Sequence, residues 1–92
     1  MPYLVELTDT YRGEANYCWV RRAKLPDSVT DGAPYQSLAY RRRLARAALE
    51  SVGESGSRGR WTWNVGGTYD EWRPYGRAVV CFVLWDDSGD DE

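Results

Sequence analysis

Ser37-Leu38-Ala39-Tyr40-Arg41-Arg42-Arg43-Leu44-Ala45-Arg46-Ala47-Ala48-Leu49-Glu50-Ser51-Val52-Gly53 is the one convincing helical stretch of the chain. Its leucines and alanines are strong helix formers and Gly53 stands where a terminating glycine belongs, which predicts a helix from Pro34 or Ser37 to Val52. At roughly 100° per residue, Leu38, Tyr40, Leu44, Ala45, Ala48, Leu49 and Val52 fill a broad apolar arc. Arg42, Arg43, Arg46 and Glu50 take the opposite side. Arg41 falls inside the arc, so its guanidinium must snorkel past a sheet edge or meet a carboxylate.

On either side of this helix the pattern changes to that of strands. From Tyr3 to Tyr11, Tyr3, Val5, Leu7 and Tyr11 share one face and Glu6, Thr8 and Thr10 the other. Arg12-Gly13-Glu14 makes a turn, and Ala15 to Leu25 returns as the second strand of an antiparallel hairpin, with Tyr17, Trp19, Arg21 and Ala23 opposite Cys18, Val20, Arg22 and Lys24. Pro26 to Pro34 reads as a loop, and Glu54 to Gly59 as a mobile one. Arg60 to Val65 alternates again, with Trp61 and Trp63 on one face, and Gly66-Gly67 turns the chain. Tyr69 to Tyr75 is either a return strand or a loop, because Pro74 demotes its end to an edge. Ala78 to Trp85 is an unbroken apolar run, as expected of a central strand. These elements predict an α+β fold: an antiparallel sheet of four or five strands with one helix on one face. A single domain over residues 1–87 would be followed by a flexible acidic tail over 88–92.

Ninety-two residues suit one domain. Its longest apolar run of eight residues falls short of the ~20 that cross a bilayer, and no apolar leader opens the chain, which points to a soluble, cytoplasmic protein with no membrane partner. With no histidine, Ser-His, Cys-His and His-ligated metal chemistry are excluded. Asp70 and Glu71, being adjacent, would point to opposite sides of a strand and make poor acid–base partners. No enzymatic activity and no cofactor are expected. Cys18 and Cys81 read as small buried residues, bridged only if their strands lie side by side. Asp9 interrupts an apolar face, where it could answer Arg21 or Arg41, or mark the strand's exit from the core.

Residues 1–85 carry a surplus of base, while Asp86 to Glu92 adds acid alone, for a net charge of −2. Eleven of the twelve basic residues are arginine, a bias toward planar and stacking contacts, and arginine with tryptophan and tyrosine is the composition of binding hot spots. Arg42, Arg43 and Arg46 form a positive stripe suited to phosphate or an acidic protein surface, unless it is simply a solvated face with Arg46 paired to Glu50. A single covering helix leaves the second sheet face for solvent or a partner. Trp61 and Trp63 are candidates for it unless they enlarge the core, and Arg60, Tyr69 and Trp72 complete the candidate surface. The leading expectation is a protein that binds a host protein or ribonucleoprotein complex. The alternative is a nucleic-acid-binding module using the arginine stripe with Arg58 and Arg60 for phosphates and Trp61 or Trp63 for stacking. The tail, folded back, would mask the stripe.

Leu7-Thr8-Asp9-Thr10-Tyr11-Arg12-Gly13-Glu14-Ala15-Asn16-Tyr17-Cys18-Trp19-Val20-Arg21-Arg22 resembles the opening of short, uncharacterised bacteriophage and prophage proteins that share L-T-D-T-Y-x-G-E-A-N-Y-x-W-V. The resemblance covers about a quarter of the chain. It implies a mobile-element origin, action in the host bacterial cytoplasm and, by analogy of class with anti-CRISPR inhibitors, interference with bacterial defence by binding without chemistry. The same residues also make sense as a structural hairpin, with Thr8, Thr10 and Asn16 on an exposed face and shoulder.

Overall fold

In the computed structural model, which describes residues 3–85, the elements run β1 (Tyr3–Tyr11), β2 (Glu14–Leu25), a short 3-10 turn (Asp27–Thr30), α1 (Leu38–Ser51), β3 (Gly59–Val65), β4 (Tyr69–Pro74) and β5 (Val79–Trp85). The tail expected at 88–92, and its masking of the arginines, lie outside the described residues. The strands form one sheet of order β2-β1-β5-β4-β3, antiparallel at every pairing. This is the expected α+β fold, with five strands. The apolar run Ala78–Trp85 supplies the middle strand, where both edges are paired. Tyr69 to Pro74 is a strand and not an edge: it lies between β5 and β3. Pro74 is its last residue, where a missing N–H costs the ladder little.

β2 and β3 are the two opposite edges, so the chain between them must traverse the whole sheet, and α1 is that traverse. Ser37 Oγ accepts the Tyr40 N–H at 3.1 Å and caps its start. At its end the Gly53 N–H reaches the Glu50 carbonyl and the Glu54 N–H the Leu49 carbonyl, with Gly53 at φ +78°, the Schellman arrangement that needs a left-handed residue there. Arg21 Nη1 donates to the Val52 carbonyl at 2.9 Å, placing a cation at the negative end of the helix dipole.

Register assigns the faces. Leu7, Cys81, Trp72 and Trp61 align across β1, β5, β4 and β3, and Val5, Val83 and Asp70 align in the next row. That face meets Tyr40, Leu44 and Ala48 of α1, and Val52 just beyond its end, to form the core. Leu38, assigned to the arc, is exposed: it is the first helical residue, ahead of Tyr40, where burial begins. Arg41 Nε donates to Gln36 Oε1 and its guanidinium lies 5.4 Å from the Trp63 ring centroid; it makes no ion pair among the described residues.

Of the two cysteines only Cys81 is buried, with its thiol pushed up to about 12 by desolvation; Cys18 is exposed, contrary to expectation. β1 separates their strands, and both thiols are free. On the face away from α1, Tyr69 packs edge-on against Phe82 at 5.5 Å, flanked by ion pairs Arg22–Glu6 at 2.8 Å and Arg73–Glu71 at 2.6 Å.

Candidate functional site

Arg12 and Gly13, both at positive φ, turn the β1–β2 hairpin in the manner of the tight turns that match strand twist. Beyond the Thr10↔Ala15 pair the register breaks and resumes at Thr8↔Val20. Asp9 of β1 thus faces the stretch Asn16 to Trp19 of β2, an enlarged β-bulge that throws the surplus residues outward. Its centre is Tyr17, at φ +57°, a costly conformation for a bulky residue.

Two side chains of β1 hold the bulge. Asp9 Oδ2 accepts from Asn16 Nδ2 at 2.9 Å, and Oδ1 from the Cys18 N–H at 2.9 Å and the Trp19 N–H at 3.5 Å. The Asn16 amide above all, with the Cys18 and Trp19 N–H groups, holds the Asp9 carboxyl below the usual carboxylate range against its desolvation. Thr8 Oγ1 accepts the Tyr17 N–H at 3.0 Å and donates to the Trp19 carbonyl at 3.0 Å. Thr8 is therefore completely buried and not part of an exposed face. Asp9 answers neither Arg21 nor Arg41: it closes a backbone loop. Thr8→Val keeps the shape and strands both backbone groups, so it should cost about 1–3 kcal/mol in a urea titration.

The brace leaves aromatic rings in solvent. Tyr11, Tyr17 and Trp19 are 62%, 51% and 43% exposed. Arg12 lies 5.3 Å from the Tyr11 ring centroid and Arg21 6.0 Å from that of Trp19, orientations that hold each cation over a ring face.

The residues singled out in sequence are dispersed. Arg42, Arg43 and Arg46, with Glu50, line a groove of about 440 Å³ beside α1. Arg43 donates to the Asp31 carbonyl; Arg42 and Arg46 have no hydrogen-bond or ion-pair partner among the described residues. Trp61 and Trp63 stack on each other at 4.7 Å and 11° on the helix-covered face, packed against the core, and not on the open face. Trp72 is wholly inside, 1% exposed, and is no contact residue. Arg60 and Tyr69 lie on the open face, Arg60 on the edge strand. The arginine stripe and the tryptophans therefore do not form one surface.

No helix among the described residues is long and apolar enough to cross a membrane, and no cluster of three or more Cys, Asp or Glu among them is arranged to hold a metal. No family model, curated protein or solved structure matches the chain.

Proposed function

We propose that this protein is a non-enzymatic binding module that recognises a macromolecular partner through the β1–β2 hairpin. The supporting observation is the Thr8–Asp9 brace, which fixes the backbone carrying the exposed Tyr17 and Trp19 before any partner arrives. Preorganised rings and guanidinium groups bind at low entropic cost. Arg12 and Arg21, each over one of the exposed rings, suit an acidic surface. The resemblance of these same residues to phage-encoded proteins directs the search to a protein or ribonucleoprotein complex in the bacterial host's cytoplasm, beginning with defence complexes of the kind that anti-CRISPR inhibitors bind.

Affinity capture from a bacterial lysate should recover a stoichiometric partner with the wild type. Trp19→Ala and Tyr17→Ala should each weaken that complex by about 2 kcal/mol or more, the size of a hot spot. Asp9→Ala should weaken it too, by releasing the bulge. Turnover of a substrate with no partner recovered, or a complex indifferent to all three variants, would reject the proposal. A nucleic-acid role is favoured by one observation, Arg42 and Arg46 on the α1 groove without a partner among the described residues. A low-salt mobility shift that is lost in Arg42→Glu/Arg46→Glu and retained in Trp19→Ala would promote it instead.

A further inference from the structure

A second site lies where β1 and β4 begin, β5 ends and α1 starts. A cavity of about 380 Å³ there is lined by Tyr3, Tyr35, Tyr40 and Trp85, with Asp70 among them. The rings are already set against one another: Tyr3 meets Trp85 edge-on at 5.0 Å, and Tyr35 meets Tyr40 at 5.2 Å and 72°.

The hydrogen bonds around this cavity have a fixed direction. Thr30 Oγ1 donates its one proton to the Asp27 carbonyl. Tyr3 must then donate to Thr30 across 3.0 Å, and Tyr40 to Tyr3 across 3.1 Å. Every hydroxyl proton of the chain is directed toward Asp27, which leaves the Tyr40 oxygen as an acceptor only. Asp70 is 8% exposed, and its Oδ1 accepts the Asn64 N–H at 2.7 Å. Its Oδ2 has no hydrogen-bond partner among the described residues and, since no buried side-chain oxygen there lacks one, it keeps some exposed surface on a residue that lines the cavity. Arg41 lends Asp70 a favourable field but no ion pair, being held by Gln36 and Trp63. Asp70 is thus a nearly buried carboxylate without an ion-pair partner among the described residues, in a cavity lined by aromatic side chains.

We propose that this cavity binds a methylated or quaternary ammonium group. Ring faces attract a cation through their quadrupoles, and a weakly hydrated alkylammonium gives up its water more readily than a primary ammonium does. A guanidinium would call for both carboxylate oxygens, and Oδ1 is already engaged. One free oxygen and several rings suit a compact cation.

Tetramethylammonium chloride titrated into the ¹⁵N-labelled full chain should shift the Trp85 indole resonance saturably. The neutral isostere pairing, choline against 3,3-dimethylbutanol, should favour choline by roughly tenfold or more, because only the cation gains from the rings and the carboxylate. Asp70→Asn should weaken choline by roughly tenfold, and Tyr35→Leu, at an exposed position, by several-fold with the core resonances unmoved. A trimethyllysine peptide binding more tightly than choline identifies a methylated protein as the source, and equal or weaker binding identifies a free amine; both support the site. Equal binding of the neutral isostere, no saturable shift with either cation, or full affinity in both variants would overturn it. Trp19→Ala leaves the result unchanged, so failure here is separate from failure of the hairpin proposal.

Discussion

Trp72→Ala should lower the melting temperature by at least ~12 °C, because emptying a fully buried indole site costs about 3–5 kcal/mol and each kcal/mol is worth roughly 4–8 °C in a domain of this size. The whole stability of such a chain is on the order of 5–14 kcal/mol, so a large share would go with this one side chain. Trp72 stands in the row Leu7–Cys81–Trp72–Trp61 and its ring centroid is 6.5 Å from that of Trp61. Gly59 closes the pocket. A Cβ built there would lie 2.6 Å from Trp72 Nε1 and from the Arg73 carbonyl oxygen, and 2.8 Å from Pro74 Cα. Gly59→Ala must therefore push β3 away from β4 and should cost about 1–3 kcal/mol. Trp72→Phe should recover part of the loss. A fall of less than ~5 °C in Trp72→Ala, by thermal unfolding, would show that the indole is not the core's main filler.

The same residue shows where sequence reading reached its limit. Pro74 made Tyr69 to Tyr75 look like an edge or loop, and a tryptophan on an edge is a candidate contact. The proline's position within the strand decided the matter, since at the last residue it leaves the internal ladder intact. By contrast, the helix and its Gly53 end, the hairpin turn and the central strand were all legible, because each depends on local pattern or on one residue's dihedral preference, while the helix start, open between Pro34 and Ser37, is settled by the Ser37 cap. Which edge β3 occupies is not local. It follows from the traverse of α1 from one edge to the other, and that traverse put Trp61 and Trp63 under the helix and left Tyr69 on the other face.

The hairpin brace was half visible. Asp9 stood out as a carboxylate on an apolar face, which two arginines seemed suited to answer. Strict alternation hid the answer, because a bulge suspends period two and lets one carboxylate serve backbone N–H groups several residues away. The pairing of Thr8 with the Tyr17 N–H and the Trp19 carbonyl depends on that same offset, so a register drawn without the bulge places Thr8 in solvent. The end cavity had no sequence signal, for its rings come from β1, β5, α1 and the segment before α1 and its carboxyl residue from β4, which only the sheet order brings together.

Arg77→Met should destabilise the protein by about 1–2 kcal/mol at pH 7, with the loss fading in acid. Glu54, expected in a mobile loop, is 5% exposed and is clasped by Arg77 Nη1 at 2.5 Å and Nη2 at 3.0 Å, with Ser57 Oγ donating at 2.8 Å. The contact joins the C-terminal end of α1 to the β4–β5 connection. A charged, two-pronged hydrogen bond would be worth more, but Arg77 is half in water and solvent screening discounts it. The Arg77 guanidinium, chiefly, holds the Glu54 carboxyl below its ordinary value of 4.5. A depressed folded-state value means that the contribution is present above the unfolded value, from roughly pH 5 upward, and is lost as pH falls through the folded value. Wild type and Arg77→Met should therefore draw together as pH falls below the ordinary 4.5 and through the lowered folded value. Asp70 runs the other way. Burial holds its carboxyl above the ordinary 3.8, so its charge opposes folding at neutral pH, and Asp70→Asn should stabilise the protein there and lose that advantage in acid. Urea titrations from pH 3 to pH 7 read both trends. A constant gap between wild type and Arg77→Met across that range would dismiss the Glu54 clasp as a source of stability, whereas a neutral-pH gain in Asp70→Asn alongside lost ammonium binding would show a carboxylate kept at the cavity at the fold's expense.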